Sequence, residues 1–294
     1  MKKKIYWTLP VTILVASLAC KKLASVRNPG KGKVLPLAAA TVEGTTLSAN
    51  GTTDTYTLIN SVLGGTAEEV PDCSHPSFGP HITQVYDSAL GKYVFAFWIH
   101  VHPDNDRCVN FDRQRNEIKT YSASPDKLIG FLNDTLTHHW KFKLPSGFQP
   151  SPKFTHIHQI KAGDGDDGAA LITLTPRYGS PDKMQLIHTG STTATSLGTV
   201  ASVNLAPFMG VWVEAEEHII YKSKGTYSIT IKRMRDDSVL LSYSNTNIDM
   251  WRDSTTFCRP KWGIYRSLDD STYLRDEKVL FDDFCIAKGT AICP

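Results

Sequence analysis

The feature that most constrains this chain is a succession of short alternating segments with almost nothing helical between them. "KYVFAFWIHVH", "RNEIKTY", "HWKFKL", "FTHIHQIK", "AALITLT", "MQLIHTG", "VWVEAEEHIIYK", "TYSITIKRM", "SVLLSYS", "WGIYRS" and "KVLFDDFCIA" follow one another, and turns read from "SALGK", "GDGDDG", "YGSPDK", "KSKGT" and "MRDDS". Side chains two apart on a strand share a face, so alternation marks a strand with one buried side, and many such strands at near-regular spacing predict an all-β sandwich or jelly roll. Only "SPDKLIGFLND" reads as a short helix. No internal repeat or second domain shows, and the roughly 240 residues from position 55 onward suffice for one large core.

The chain opens "MKKKIYWTLPVTILVASLAC". Three lysines, an apolar run too short to span a bilayer and small residues before Cys20 read as a secretory signal. "ASLAC" resembles a bacterial lipobox, which implies cleavage before Cys20 and lipidation of that cysteine, with an ordinary signal peptide as the alternative. The expected layout is a signal over 1–19, a lipidated cysteine and polar tether over 20–55, and a folded domain over 56–294, held at the cell envelope. Losing residues 1–19 removes three lysines and no acids, so 32 basic residues become 29 against 29 acidic ones. A near-neutral domain argues against a general nucleic-acid binder, which needs a concentrated basic face. Export permits disulfides. Cys73 with Cys108 and Cys285 with Cys293 are reasonable pairs, leaving Cys258 odd, although spacing does not fix connectivity.

Several strands carry polar groups on one side only. Arg113, Arg115, Glu117 and Lys119 share a face; so do Trp98, His100 and His102, Trp212, Glu214 and Glu216, and Lys261, Gly263 and Tyr265. Such strands together would build a charged groove over an apolar core, suited to an extended polar polymer. "FTHIHQIK" is less simple, because Gln159 and Lys161 alternate with His156 and His158, leaving polar groups on both faces. The alternation turns Gln159 and Lys161 to the groove; a bulge that shifts the register would bring His158 there instead.

Three of these strands resemble motifs of the jelly-roll polysaccharide lyases. "RNEIK" is similar to their R-x-E-L-R strand, "QIK" to their Q-I-H strand and "KWGIY" to the core of Y-F-K-x-G-x-Y, and they occur in the family's order. Residues from about 70 to 290 resemble this group, most closely the glucuronan lyases of family 20, with family 7 alginate lyases and heparin-lyase-like proteins as relatives. The resemblance implies a concanavalin-like β-jelly roll, a monomer without an organic cofactor, and β-elimination on a uronic-acid polymer. That reaction needs a group to neutralise the C6 carboxylate, a base for the C5 proton and an acid for the leaving oxygen. It implies Gln159 and Arg115 as carboxylate-neutralising groups and Tyr265 as the proton-transfer residue, with Lys261 and Arg115 as cations favouring its phenolate. Lys161 stands where family 7 has a histidine, which makes His102 the first choice for that role and His158 the second. Ser267 replaces the final Gln, and Arg259-Pro260 replaces Tyr-Phe. Glu117, Lys119, Lys161, Lys261, His100, His158, Trp98 and Glu214 complete the expected substrate-binding set.

Each of these residues has a plainer reading: a satisfied core histidine, a cross-strand charge ladder or a packed aromatic. A non-catalytic carbohydrate-binding jelly roll is the first alternative function. Paired Glu214 and Glu216 suggest a glycoside hydrolase as the second, though a further acid expected along the strand is missing. "HPDNDRC" and "AGDGDDGA" offer oxygen-rich turns for a structural Ca2+ ion, with spacing that fits no EF-hand.

Overall fold

A computed structural model describes residues 42–294. The signal segment, Cys20 and most of the expected tether lie outside the described residues. Fifteen strands and one helix follow in the order β1 (Thr45–Leu47), α1 (Thr55–Leu63), β2 (Glu68–Glu69), β3 (Ile82–Asp87), β4 (Lys92–Ile99), β5 (Arg113–Lys119), β6 (Thr135–Lys143), β7 (Thr155–Ala162), β8 (Ala170–Arg177), β9 (Lys183–His188), β10 (Gly198–Asn204), β11 (Val213–Ile220), β12 (Gly225–Arg233), β13 (Ser238–Ile248), β14 (Cys258–Ser267) and β15 (Glu277–Lys288). They form two antiparallel sheets. One runs β13-β12-β11-β6-β15-β4-β3 with β1 added against β15, and the other runs β10-β9-β8-β7-β14-β5-β2. This is the two-sheet sandwich that the alternation predicts. The folded chain starts earlier than position 56, because Thr45–Leu47 pair with Phe284–Ile286 of β15.

The helix lies at 55–63 and not at "SPDKLIGFLND". Asp54 caps α1 by accepting the Thr57 N–H at 2.9 Å, and Ile59 and Leu63, one turn apart, are buried. In "SPDKLIGFLND" only a single 3₁₀ turn forms, over Asp126–Leu128. Gly130 instead exchanges both backbone hydrogen bonds with Cys258, at 2.9 and 2.8 Å, which pulls the chain out of the helical path.

Between the sheets, Phe97, Trp140, Phe142, Phe281 and Phe284 meet Ile157, Ile160, Ile172, Leu174, Trp262 and Ile264, all fully or almost fully buried. Burial of this kind stabilises by about 25 cal/mol per Å² of apolar surface. One polar cluster interrupts it. Glu217 on β11 accepts hydrogen bonds from His138 on β6 (2.7 Å), His158 on β7 (2.9 Å) and the Tyr227 hydroxyl on β12 (2.9 Å), and none of the four is exposed. Burial alone would raise the Glu217 pKa, but His158 and His138 pull it down to about 2. Cys73–Cys108 and Cys285–Cys293 are disulfides, and Cys258 is a buried free thiol.

Candidate active site

The outer face of the seven-stranded sheet collects the three motifs. β14 lies between β5 and β7, so Tyr265 stands opposite Arg115 on one side and His156 on the other, while Lys261 stands opposite Lys119 and Gln159. The β5–β14 register is regular, which keeps Arg113, Arg115, Glu117 and Lys119 on the face of Lys261, Gly263 and Tyr265. The β7–β14 register is not. Trp262 pairs with His158 and Tyr265 with His156, so three steps on β14 span two on β7. The irregularity centres on Gly263, whose φ of +142° and 2.1 Å separation between an added Cβ and the Asn116 carbonyl oxygen admit no side chain.

This shift corrects the expectation for "FTHIHQIK". A bulge does move a histidine to the groove, but it is His156. His156 sits 5.9 Å ring to ring from Tyr265 and stacks on Phe154 at 5.1 Å. His158 points inward, its Nδ1 donating to the Lys261 carbonyl at 3.0 Å and its Nε2 to Glu217 at 2.9 Å, and cannot reach a substrate. Burial pushes the His156 imidazole down to about 3, and its Nδ1 has no hydrogen-bond partner among the described residues.

Around Tyr265 the charges are closely placed. The Arg115 guanidinium lies 3.8 Å from the centroid of the tyrosine ring, and Arg113 Nη1 donates to its hydroxyl at 3.0 Å. Arg115 is held by Asp106 at 3.0 Å and by Glu117. Beneath them Glu117, fully buried, also accepts from Gln159 Nε2 at 2.5 Å and Lys261 Nζ at 2.7 Å; Glu69 accepts from Lys261 at 2.5 Å and Lys119 at 2.7 Å. Burial would raise both carboxyls, but the surrounding cations, Lys261 first, hold them well below the usual carboxylate range. Burial lowers Lys261 to about 8 despite its two carboxylate partners. Glu117 and Lys261 are therefore supports under the groove rather than sugar contacts, and Lys119 is pinned to Glu69 beside the Tyr121 ring.

A groove of about 280 Å³ opens above, lined by Arg115, His156, Gln159, Lys161, Arg177 and Tyr265 among others. Its cations are poorly matched. Lys161 on β7 stands directly opposite Arg259 on β14. Arg259 is buried, its Nε and Nη1 find no partner among the described residues, and the same holds for Arg177 Nε. Burial lowers the pKa values of both Lys161 and Arg259, with the Arg259 charge adding to the effect at Lys161 and the Arg115 charge at Arg259. Sequence reasoning missed Arg177 and His156 and saw Arg259 only as a departure from the motif; basic residues within strand segments were the available signal.

Other expected contacts lie elsewhere. Trp98 is on β4 and His100 just beyond it, on the outer side of the eight-stranded sheet, where Trp98 donates to Thr83 Oγ1 at 2.9 Å and His100 faces Asp104. Period-2 alternation separates the sides of a strand but does not say which sheet a strand joins. His102 is exposed on the following loop and does not line the groove. Glu214 and Glu216 are on the outer face of β11, also in the eight-stranded sheet, paired with His139 (2.9 Å) and His218 (2.6 Å). A larger cavity of about 470 Å³ on that side, around Leu90, Trp212 and Met234, holds no comparable polar constellation. The carboxylates of the two acidic turns are mostly engaged: Asp106 by Arg107 and Arg115, Asp164 by Thr255 and Thr256, and Asp166 by Arg252.

No family model matches the sequence, and no curated protein matches it. Solved structures do match. An alginate lyase of family PL-14 from Aplysia kurodai is 13% identical with a TM-score of 0.55, covering 85% of this chain and all of that one. An endo-β-1,4-glucuronan lyase from Trichoderma reesei is 13% identical with a TM-score of 0.51, covering 70% and 86% of the two chains. A family 7 alginate lyase is 14% identical with a TM-score of 0.52, covering 76% and 94%. With these identities the likeness is one of fold, and the chain has the two-sheet jelly-roll architecture of the glucuronan and alginate lyases.

Proposed function

We propose that this protein is a polysaccharide lyase that cleaves a uronic-acid polymer, glucuronan-like, by β-elimination, working as a monomer anchored to the cell envelope through lipid on Cys20. The observation that carries this reading is the set of cations on the Tyr265 face of the sheet whose buried donors have no partner among the described residues. Lys161 opposite Arg259, and further along the groove Arg177 with its Nε unpartnered among the described residues, form an arrangement unfavourable on its own and favourable around carboxylates.

In this reading a sugar carboxylate binds between Gln159 and Arg115. Glu117 holds one Gln159 N–H, leaving the second for the substrate, and fixes Arg115 from below. Neutralising the carboxylate makes the C5 proton removable. Tyr265, acting as the phenolate, takes that proton, the C5–H electron pair forms the C4=C5 double bond, the C4–O4 bond breaks, and the departing oxygen receives the proton from the resulting phenol, which returns to the phenolate. The Arg113 and Arg115 cations favour the phenolate that takes the C5 proton and that is regenerated when O4 is protonated. His156, 5.9 Å from the Tyr265 ring and with Nδ1 free of partners among the described residues, is placed to hydrogen-bond the sugar while Tyr265 transfers the proton.

The test is ultraviolet absorbance of unsaturated uronate on glucuronan, alginate, pectate and heparin-like polymers, with reducing ends counted in parallel. The signal should grow on one polymer and be lost with Tyr265→Phe. New reducing ends without it would point to hydrolysis, and retained polymer binding with neither signal to a binding protein; either overturns the lyase reading.

A further inference from the structure

Away from the groove, three histidines and one aspartate converge at the end of the β3–β4 hairpin. His75 comes from the loop after β2, His81 from the residue before β3, His100 from the residue after β4 and Asp104 from the loop that follows. Asp104 Oδ1 is 3.0 Å from His75 Nδ1 and 3.2 Å from His81 Nε2, and its Oδ2 is 3.1 Å from His100 Nδ1. The three imidazole rings touch one another, with centroids 4.9 to 5.5 Å apart. The four ligand atoms all lie within 4.8 Å of each other.

We propose that His75, His81, His100 and Asp104 form a tetrahedral binding site for a borderline divalent cation, zinc first. A zinc ion with bonds of about 2.0–2.1 Å places its ligands about 3.3 Å apart, close to the spacings between Asp104 and each imidazole. Three imidazole nitrogens and a carboxylate suit zinc, whereas calcium takes six or more oxygens.

A second layer of contacts supports the donor set. His81 Nδ1 lies 2.8 Å from Asp72 Oδ1, which fixes that ring with Nε2 turned into the cluster, and Asp72 Oδ2 is in turn held by the Tyr56 hydroxyl at 2.8 Å. A carboxylate on the far nitrogen is the usual brace of a metal-bound histidine. Phe78 packs over the rings, 4.3 Å from His100 and 4.8 Å from His81, screening the cluster from water. The Cys73–Cys108 disulfide ties the loop carrying His75 to the loop carrying Asp104. The cluster also reaches the groove, because the Asp104 carbonyl accepts from Gln114 and Asp106, two residues on, holds Arg115. The cation would therefore brace the loop that positions Arg115.

The test uses the full-length protein and needs no substrate. Metal content after dialysis should be about one zinc per chain. Chelation should lower Tm, and zinc at about 100 times its Kd should raise it again by roughly 5–10 °C. Cobalt in place of zinc should give the visible absorption of a tetrahedral site. His75→Asn, altering a half-buried ligand, should abolish that absorption, and Asp72→Asn should keep the one-to-one stoichiometry while weakening affinity about 10- to 100-fold. Absence of both stoichiometric metal and any zinc-dependent Tm shift would overturn the proposal, as would unchanged cobalt spectra and affinity in both variants.

Discussion

Replacing Arg259 with methionine should make the protein more stable and less able to hold its polymer. Arg259 is 8% exposed, its Nε and Nη1 have no partner among the described residues, and it stands across the strand from Lys161. An unsatisfied buried donor costs about 1–3 kcal/mol, and a like-charged cross-strand neighbour adds about 0.2–1 kcal/mol. Methionine keeps most of the packed volume and removes both penalties, so a gain of about 2 kcal/mol is expected. In a folded unit of this size 1 kcal/mol moves Tm by about 2–4 °C, giving a rise of about 4–8 °C. Part of the gain is charge repulsion, so the difference between variant and parent should shrink as salt rises. The same substitution deletes a charge-assisted hydrogen bond to a carboxylate, worth about 1.5–3 kcal/mol, and should raise KM for the polymer by roughly 10- to 150-fold. Thermal unfolding at two salt concentrations and steady-state kinetics measure both halves. A destabilised variant with unchanged KM would refute the reasoning, because Arg259 would then be a satisfied structural residue.

Four further outcomes follow from the geometry. Tyr265→Phe should lower kcat by about 10²- to 10⁴-fold while polymer binding, followed by affinity electrophoresis, persists. Glu117→Gln leaves Lys261 and Arg115 with only part of their compensation and should cost about 3 kcal/mol, read from the denaturant midpoint. Glu217→Gln should destabilise at neutral pH, and the gap in Tm between variant and parent should close on acidification: the folded-state pKa is depressed to about 2, so the carboxylate's contribution is complete above its unfolded value near 4.5 and fades as pH falls towards 2. Gly263→Ala forces a Cβ against the Asn116 carbonyl and should cost about 1–3 kcal/mol, with activity falling further than stability because the register that presents His156 depends on this residue.

The layered architecture was legible because alternation on β11 and β12 separates buried from more exposed faces almost residue by residue, whereas β4 and β15 are buried along most of their length and read as strands from their apolar runs. The shared face of Arg115, Glu117, Lys261 and Tyr265 was legible for the same reason, since β5 and β14 pair without irregularity. On β7 the rule failed. Gly263 is on the neighbouring strand, and nothing within "FTHIHQIK" records that its partner inserts a residue, so His156 and His158, which strict alternation puts on one interior face, part company: His156 reaches the groove and His158 stays inside. Trp98, His100 and Glu214 show a different gap: their side of the strand was read correctly, but sheet membership depends on long-range pairing that no local pattern encodes. His75 and His81 lie in the β2–β3 connection and Asp104 in the β4–β5 connection, and they converge only once β3 and β4 pair. Cys73 and Cys108 were paired correctly, though spacing alone left other connectivities open.

The Glu217 cluster has a mechanical consequence. Apolar contact between two sheets is non-directional, so a sandwich held by aromatics and aliphatics alone tolerates sliding of one sheet over the other. Hydrogen bonds tolerate displacements of only a few tenths of an ångström. Glu217 and His138 belong to one sheet and His158 to the other, and His158 is on β7 next to Gln159 and two residues from His156. That junction acts as a locating pin: it sets the shear position of the entire groove-bearing sheet, and it engages the strand on which the groove's amide and imidazole are mounted.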